Sequence, residues 1–472
     1  MKTKGLVIAL VTSLVALISA PVTILSLTLF TPDVYYKTYY AGMKNKLELL
    51  KNTKGKRIII VGGSSVPFSI DSKLIKQELP EYNVVDFGLY ASLGTPIMLE
   101  LLEHKVHKDD FIILSPEISS QTLSNYYNGL ETLKALEQNK DEFFTLSSEA
   151  KERIIGALPI YNSEKISYLS QNNIPTPTDI YSIDSFNEYG DVSATREGNI
   201  MLNGIDSNHL IDLNKEIIDE KFVEKVNIFS KNLANLTPNV YFRFSPINDS
   251  AIINKNNLEH FYEYLDSKIE MEILSDPFKA ILEKEWFYDT NYHLNSAGAI
   301  KRTKDLIKDI KLILNDTLPT NINVPNKPPL IEEEINSDAD SSDLKYFTYE
   351  EKDKNVVIKG LTESGKTRKT LQIPYIFNKK VINSFSSETF KNSDVEEIII
   401  QDNIKIINDY SFSNTKIKRI IIKNNVPNSI GIGDHLLDGS DALIYVPHDK
   451  LTSYKTSYAW SPYAEKIFAL ID

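Results

Sequence analysis

Apolar residues recur along the chain in distinct rhythms, and each rhythm predicts a different element. Ile58 to Val61 is a continuous aliphatic run, the pattern of a strand covered on both faces in a parallel sheet. The same grammar returns at Asn83 to Phe87, which ends on Gly88, and at Phe111 to Leu114. Helices are predicted between these strands. One starts at Asp71 or Ser72 and closes at Leu79 before Pro80, and the other spans Thr95 to Val106, with Ile97, Met98, Leu101, Leu102 and Val106 on one face. Strand, helix, strand, helix, strand implies a parallel sheet flanked by helices. After a long interruption the order resumes with an amphipathic helix carrying Ile217, Ile218, Phe222, Val226, Phe229 and Leu233. A strand at Val240 to Phe244, a short fifth one within Lys268 to Ile273, and a helix from Ser296 to Leu314 capped by Asn295 complete the unit.

The interruption, about residues 118–212, reads as an insertion on the carboxyl edge of the sheet, where lids and substrate platforms sit. It carries short helical pieces at Leu130 to Leu136 and Ser148 to Ala157, then a stretch from Pro159 to Gly204 rich in tyrosine, asparagine and proline. Residues 316–344 combine prolines with the acidic run IEEEINSDADSSD and read as a linker. Beyond it the period changes. Phe390, Val395, Ile398 and Ile400 recur 22 residues later as Phe412, Ile417, Ile420 and Ile422, the spacing of stacked strand-and-turn coils. Ile444 to Trp460 reads as an aromatic cap on the last coil. The expected domains are therefore 35–315, 316–344 as linker, and 345–472.

Residues 1–34 change the expected location. Leu6 to Phe30 is uncharged and long enough for a hydrocarbon core of about 30 Å, which predicts a retained transmembrane anchor. Tyr35, Tyr36, Tyr39 and Tyr40 then fit an interfacial aromatic belt, with Tyr35 to Lys51 as a helical stalk. Lys2 and Lys4 favour an inside amino terminus, so a single-pass cell-membrane protein with an extracytoplasmic bulk is expected, the membrane being its first partner. A net charge of −12 argues against a nucleic-acid partner. The absence of cysteine excludes disulfides, thiol catalysis and thiolate metal sites.

The candidate chemistry sits where the first strand stops, at Gly62-Gly63-Ser64-Ser65. Glycines allow a sharp turn that presents a hydroxyl at the sheet edge, as a nucleophile requires, although a serine capping the next helix has the same sequence. Near the end of the unit stand Asp289 and His293, four residues apart. This spacing lets a carboxylate hold the imidazole tautomer that takes a proton from serine, and equally suits helix capping. Either Ser64 or Ser65 satisfies the first requirement.

The order of these pieces over roughly residues 35–315 resembles the SGNH (GDSL-like) hydrolase superfamily, especially its membrane-anchored cell-envelope members related to D-alanyl-transfer and alginate O-acetylation proteins. Gly62-Gly63-Ser64 matches the first block, with Gly63 where many members have Asp; Gly88 matches the second, and Asp289 with His293 the last. The resemblance implies a three-layer α/β/α, flavodoxin-like parallel sheet and a catalytic set of Ser64, His293 and Asp289. It implies oxyanion donors at Gly88 and the Ser64 backbone, and ester hydrolysis or O-acyl transfer on an acylated polysaccharide without cofactor or metal. Two departures stand out. The terminal block is Asp-x-x-x-His, where the family has Asp-x-x-His, and Ser115-Pro116-Glu117 replaces the block that supplies an oxyanion-hole asparagine. Glu117, Ser65 and Asn291 remain as substrate-binding candidates.

Gly360 to Thr367 satisfies a phosphate-loop pattern, but the following Arg-Lys-Thr-Leu-Gln-Ile-Pro374 is too short and β-prone for the helix that phosphate binding needs, so a hairpin turn is expected. His104 and His107 lack a third metal ligand nearby. Residues 345–470 resemble BspA-type leucine-rich repeats, which implies a module that docks protein or glycan. The alternative to an enzyme is accordingly a surface-anchored, catalytically inactive binding protein that works through its repeats.

Overall fold

The computed structural model describes residues 23–177, 180–201, 204–206, 209–330, 341–352, 355–378, 380–457 and 459–470. The chain divides into two compact units, Met1–Ile331 and Glu332–Asp472.

The first unit is a mixed α/β structure around a five-stranded parallel sheet. Its strands are β1 (Arg57–Gly62), β2 (Asn83–Gly88), β3 (Phe111–Ser115), β4 (Val240–Phe242) and β5 (Glu272–Ile273), in the order β2-β1-β3-β4-β5. The aliphatic runs are buried because the pleat sends alternate residues to opposite faces and both faces are covered. Ile59, Val61, Val85, Phe87, Ile112 and Leu114 enter one core, which is covered by α1 (Gly42–Asn52), α4 (Thr95–Glu103), α7 (Glu220–Leu233) and α8 (Leu258–Lys268). Ile58, Ile60, Val84, Phe111 and Ile113 enter the other, beneath α3 (Ser72–Glu78) and α9 (Ser296–Ile313). Register pairs Gly62 with Gly88 and with Ser115, so three chain segments leave the sheet side by side at its carboxyl edge.

The amino-terminal expectations are corrected. Residues 1–22, most of the expected span, lie outside the described residues; among the described residues no helix is long and apolar enough to cross a membrane. The expected transmembrane helix, and with it the single-pass membrane location, is therefore not supported. Residues 23–30 are helical and packed on protein: Thr28 Oγ1 donates to Asn162 and the Asn162 amide donates to Ile24 O, both from α6 (Ser148–Ser170). The tyrosines form no interfacial belt. Tyr39 is fully buried among Phe68, Tyr90, Tyr181 and Phe186, and the backbone N–H groups of Val34 and Tyr35 both donate to Glu137. The expected stalk is α1, a layer helix burying Met43, Leu47 and Leu50.

Two further differences have physical causes. α6 continues through Pro159 to Ser170, because Tyr161, Asn162 and Lys165 are buried on the far side of the proline, and that packing outweighs one missing backbone donor. Residues 317–330, expected within the linker, lie along the first unit: Ile322 is buried in its core, and Asn321 N donates to Glu78.

The second unit is β-rich. Thr370–Gln372, Glu397–Ile400, Arg419–Ile422, Leu443–Val446 and Ile467–Ala469 form one parallel sheet, with Ile398 paired to Ile420 and Ile400 to Ile422, the repeat seen in the sequence. Phe390 stacks on Phe412, and Trp460 and Tyr454 are fully buried at the end of the stack. The phosphate-loop look-alike is a one-turn helix, Glu363–Lys366, whose Thr362 cap accepts from Gly365 N. It joins strands of two different sheets, Asn355–Leu361 and Thr370–Gln372, rather than forming a hairpin.

Candidate active site

Ser64 leaves β1 at the N-cap position of α2 (Ser65–Ser69) with helical dihedrals, yet its side chain makes no capping bond. Its Oγ instead lies 2.8 Å from His293 Nε2. The imidazole is reached across the sheet edge because residues 287–294 form a tight loop: Phe287 bridges Leu294, Tyr288 N donates to His293 O, and Thr290 Oγ1 accepts from His293 N. Across that loop His293 Nδ1 is 2.8 Å from Asp289 Oδ1. The extra residue in the Asp/His spacing is absorbed by the loop, so the helical rotation it would impose does not apply. Capping of α9 falls to Asn295, which accepts from Gly298 N, and neither Asp289 nor His293 is needed for it.

Three residues with no legible signal in the sequence complete the arrangement. Tyr181, from the insertion, donates to Asp289 Oδ2 at 2.5 Å, and its hydroxyl is 3.3 Å from His293 Nδ1. Burial, then the Asp289 charge, raise the Tyr181 pKa well above its usual value, which keeps it a donor. The Phe68 ring stacks on the imidazole at 4.0 Å, and the Arg196 guanidinium lies over the Phe68 ring, 5.3 Å from its centroid. Arg196 also donates to Phe68 O, Val192 O and Leu294 O, so one buried guanidinium ties the insertion to the helix after Ser64 and the loop bearing His293. Such a shell fixes ring orientation and tautomer together. Ser64 keeps 7% of its surface exposed and His293 4%, so both are nearly sealed from solvent.

The other sequence-predicted residues fall elsewhere. The Gly88 N–H, expected as an oxyanion donor, donates to Asp86 Oδ1 at 2.9 Å and is thereby committed inside the protein. Gly88 has a packing role, since a Cβ there would stand 2.6 Å from Gly63 O. Asn291 does not face Ser64: its amide donates to Asp206 O and His209 O, and its oxygen accepts from Asp206 N, which pins the insertion to the loop. Ser65 Oγ is buried and makes no hydrogen bond to the imidazole or to any other partner among the described residues. Glu117, two residues past β3, does join the site. Its Oε1 accepts from Ser65 N at 2.7 Å and lies 3.3 Å from Ser64 Oγ, whose single proton is directed at His293 in the relay.

In the comparison with known families, BspA type leucine rich repeat region matches residues 369–459 in six copies. No curated protein matches the chain. The carboxyl-terminal unit thus contains a BspA-type repeat region, within the sheets described above.

Proposed function

We propose that the first unit is a serine ester hydrolase or O-acyltransferase of the SGNH kind, acting on an O-acylated polysaccharide. The observation that carries this reading is the relay Ser64 Oγ to His293 Nε2, and Nδ1 to Asp289, each step 2.8 Å. Such a relay lets neutral imidazole take the serine proton as Oγ bonds to the acyl carbonyl carbon. The tetrahedral intermediate then expels the alkoxy oxygen, which receives the proton from Nε2, leaving an acyl-serine. Water or a sugar hydroxyl, deprotonated by Nε2, attacks the same carbon, and Oγ leaves with its proton restored. Asp289 holds the imidazolium without itself becoming protonated.

Glu117 limits the rate of this chemistry as drawn. In this reading the Ser65 N–H serves as an oxyanion donor in place of the committed Gly88 N–H; a carboxylate on it opposes a developing oxyanion, and removal of one oxyanion donor typically costs about a hundred- to a thousandfold. Turnover requires the Glu117 side chain to swing off that donor when substrate enters. The same observation supports a second reading, in which the relay is idle and the protein works by binding through its repeats to protein or glycan.

A serine-reactive fluorophosphonate separates the two. Under the enzyme reading it labels the wild-type chain, the label maps to Ser64, and Ser64→Ala is unlabelled. Absence of labelling in folded wild-type protein would favour the binding reading.

A further inference from the structure

Residues 154–163 of α6, IIGALPIYNS, hold no charged side chain, and neither do residues 5–32 of the sequence. A helix so apolar is ordinarily covered on most sides. α6 buries Ile154, Tyr161, Asn162 and Lys165, yet leaves Ile155, Pro159, Ile160 and Ile166 exposed. The helix of residues 23–30 lies against it: Thr28 Oγ1 donates to Asn162 Oδ1 at 3.0 Å, Asn162 Nδ2 donates to Ile24 O at 2.8 Å, and Lys165 Nζ donates to Thr31 O at 3.4 Å. Helical spacing puts Ile155, Pro159 and Ile166 on the same stripe of α6 as Asn162, and Leu25 and Leu29 on the row beside Ile24 and Thr28. The exposed residues of the two helices therefore adjoin one another. Ile155, Ile160, Ile166, Leu25, Leu29 and Phe30 are the large ones, and their exposure runs from 44% at Ile166 to 83% at Phe30.

Single apolar side chains at a surface are ordinary, whereas a contiguous group of them marks a place where something else is met. The surface offers a protein partner little to recognise. At its exposed positions between 23 and 30 and between 155 and 163, the polar side chains are the hydroxyls of Thr23 and Ser163 alone, where protein interfaces carry a polar rim and are enriched in arginine and tyrosine. Charge resumes at its borders, with Glu152 and Arg153 on α6 and with Asp33, which pairs with Lys140. The chain also enters the first described residue, Thr23, at this surface. The sequence before it is uncharged back to Gly5 and begins with Lys2 and Lys4, so the same medium has to suit both. Hydrocarbon beneath a layer of headgroups is such a medium.

We propose that this two-helix surface rests on a lipid bilayer, with Ile155, Ile160, Ile166, Leu25, Leu29 and Phe30 sunk into the boundary between headgroups and acyl chains. The contact lies on the membrane and requires no span. Apolar faces held in this way reach about 5–10 Å into that boundary, and their affinity grows with the apolar area they bury. The contact is independent of whether Ser64 is a nucleophile.

The test uses the purified full chain and vesicles of phosphatidylcholine with phosphatidylglycerol, with which the chain is expected to float. The sequence has no cysteine, so Ile160→Cys places a single nitroxide on the surface. On vesicles its collisions with oxygen should rise and those with a water-soluble nickel chelate should fall. Ile155→Glu, Ile160→Glu and Ile166→Glu together should weaken flotation by about tenfold or more. Their melting temperature should match wild type, because all three side chains are exposed. A nitroxide at residue 160 as open to the chelate on vesicles as off them would overturn the proposal even if the chain floated, since residues 1–22 would then account for flotation. A triple variant that floats as well as wild type would overturn it too. So would a wild-type chain that does not float and instead forms a dimer that the triple variant splits.

Discussion

Gly63 and Glu117 share one small volume, and neither can be understood without the other. A Cβ on residue 63 would stand 2.8 Å from Glu117 Oε1 and 2.9 Å from the Ala91 Cβ, so a carboxylate arriving from β3 excludes any side chain there. Glu117→Gln keeps the shape, removes the negative charge and offers an amide donor close to Ser64. Fluorophosphonate labelling is expected to quicken by about ten- to a hundredfold, within the range of one oxyanion donor. Glu117→Ala, which frees the Ser65 N–H but adds no donor, should gain less. A Gln variant slower than wild type would show that the carboxylate helps the reaction. Tyr181→Phe tests the other end of the relay. A hydrogen bond to a charged group is worth about 1.5–3 kcal/mol, which limits the loss of labelling to about a hundredfold. An unchanged rate would mean that Asp289 is aligned without the tyrosine.

At the scale of elements, the insertion is fastened to the sheet by buried charge. Lys46 of α1 donates to Asp86 Oδ1 of β2 at 3.1 Å and to Gly190 O at 2.5 Å, while Asp191 accepts from the Ser72 backbone and hydroxyl and from Asn187. Asp86 takes the ammonium, and Asp191 is left beside it with hydrogen bonds to neutral groups only. Burial, then the Asp86 charge, push the Asp191 pKa from 3.8 to about 7, and burial also raises Asp86. Over that interval the folded protein keeps a proton that the unfolded chain has released. The stability from this group is therefore complete below about pH 4 and lost as pH rises through 7, at no more than about 1.4 kcal/mol per pH unit. Melting measured from pH 5 to 8 should fall towards the alkaline end, and Asp191→Asn should flatten that slope and melt higher than wild type at pH 8. None of this clamp was legible in the sequence, because Lys46, Asp86 and Asp191 have no common spacing and meet only through the insertion's return to β2. The strands were legible, since Ile58 to Val61 and Phe111 to Leu114 are apolar for a local reason, burial on both faces. Tyr39 was misread for a related reason: an aromatic cluster after an apolar run reads as an interface until a protein core is seen to fill the same need.

At the scale of the molecule, the two units own separate cores, with every member of the second, from Phe347 to Ile467, lying beyond residue 340. The 22-residue period was visible because each coil must bury the same positions against the next; what closes the stack is a matter of single side chains. Trp460 is fully buried there, packed edge-on to Tyr454 at 5.2 Å, and its Nε1 donates to Pro427 O at 3.1 Å. In a solenoid the terminal coil has one neighbour only, so the cap carries a share of stability that no interior repeat can replace. Trp460→Ala leaves a large void and an acceptor without its donor, a change that costs about 3–5 kcal/mol in well-packed cores. Two unfolding transitions are expected in wild-type protein, followed by calorimetry, and the variant should lower only one of them. Because the first unit draws no core residue from the repeats, the rate of Ser64 labelling in Trp460→Ala should match wild type. A variant that lost labelling along with its repeats would mean that the 22-residue coils support the serine site, and the separation of chemistry from docking would have to be abandoned.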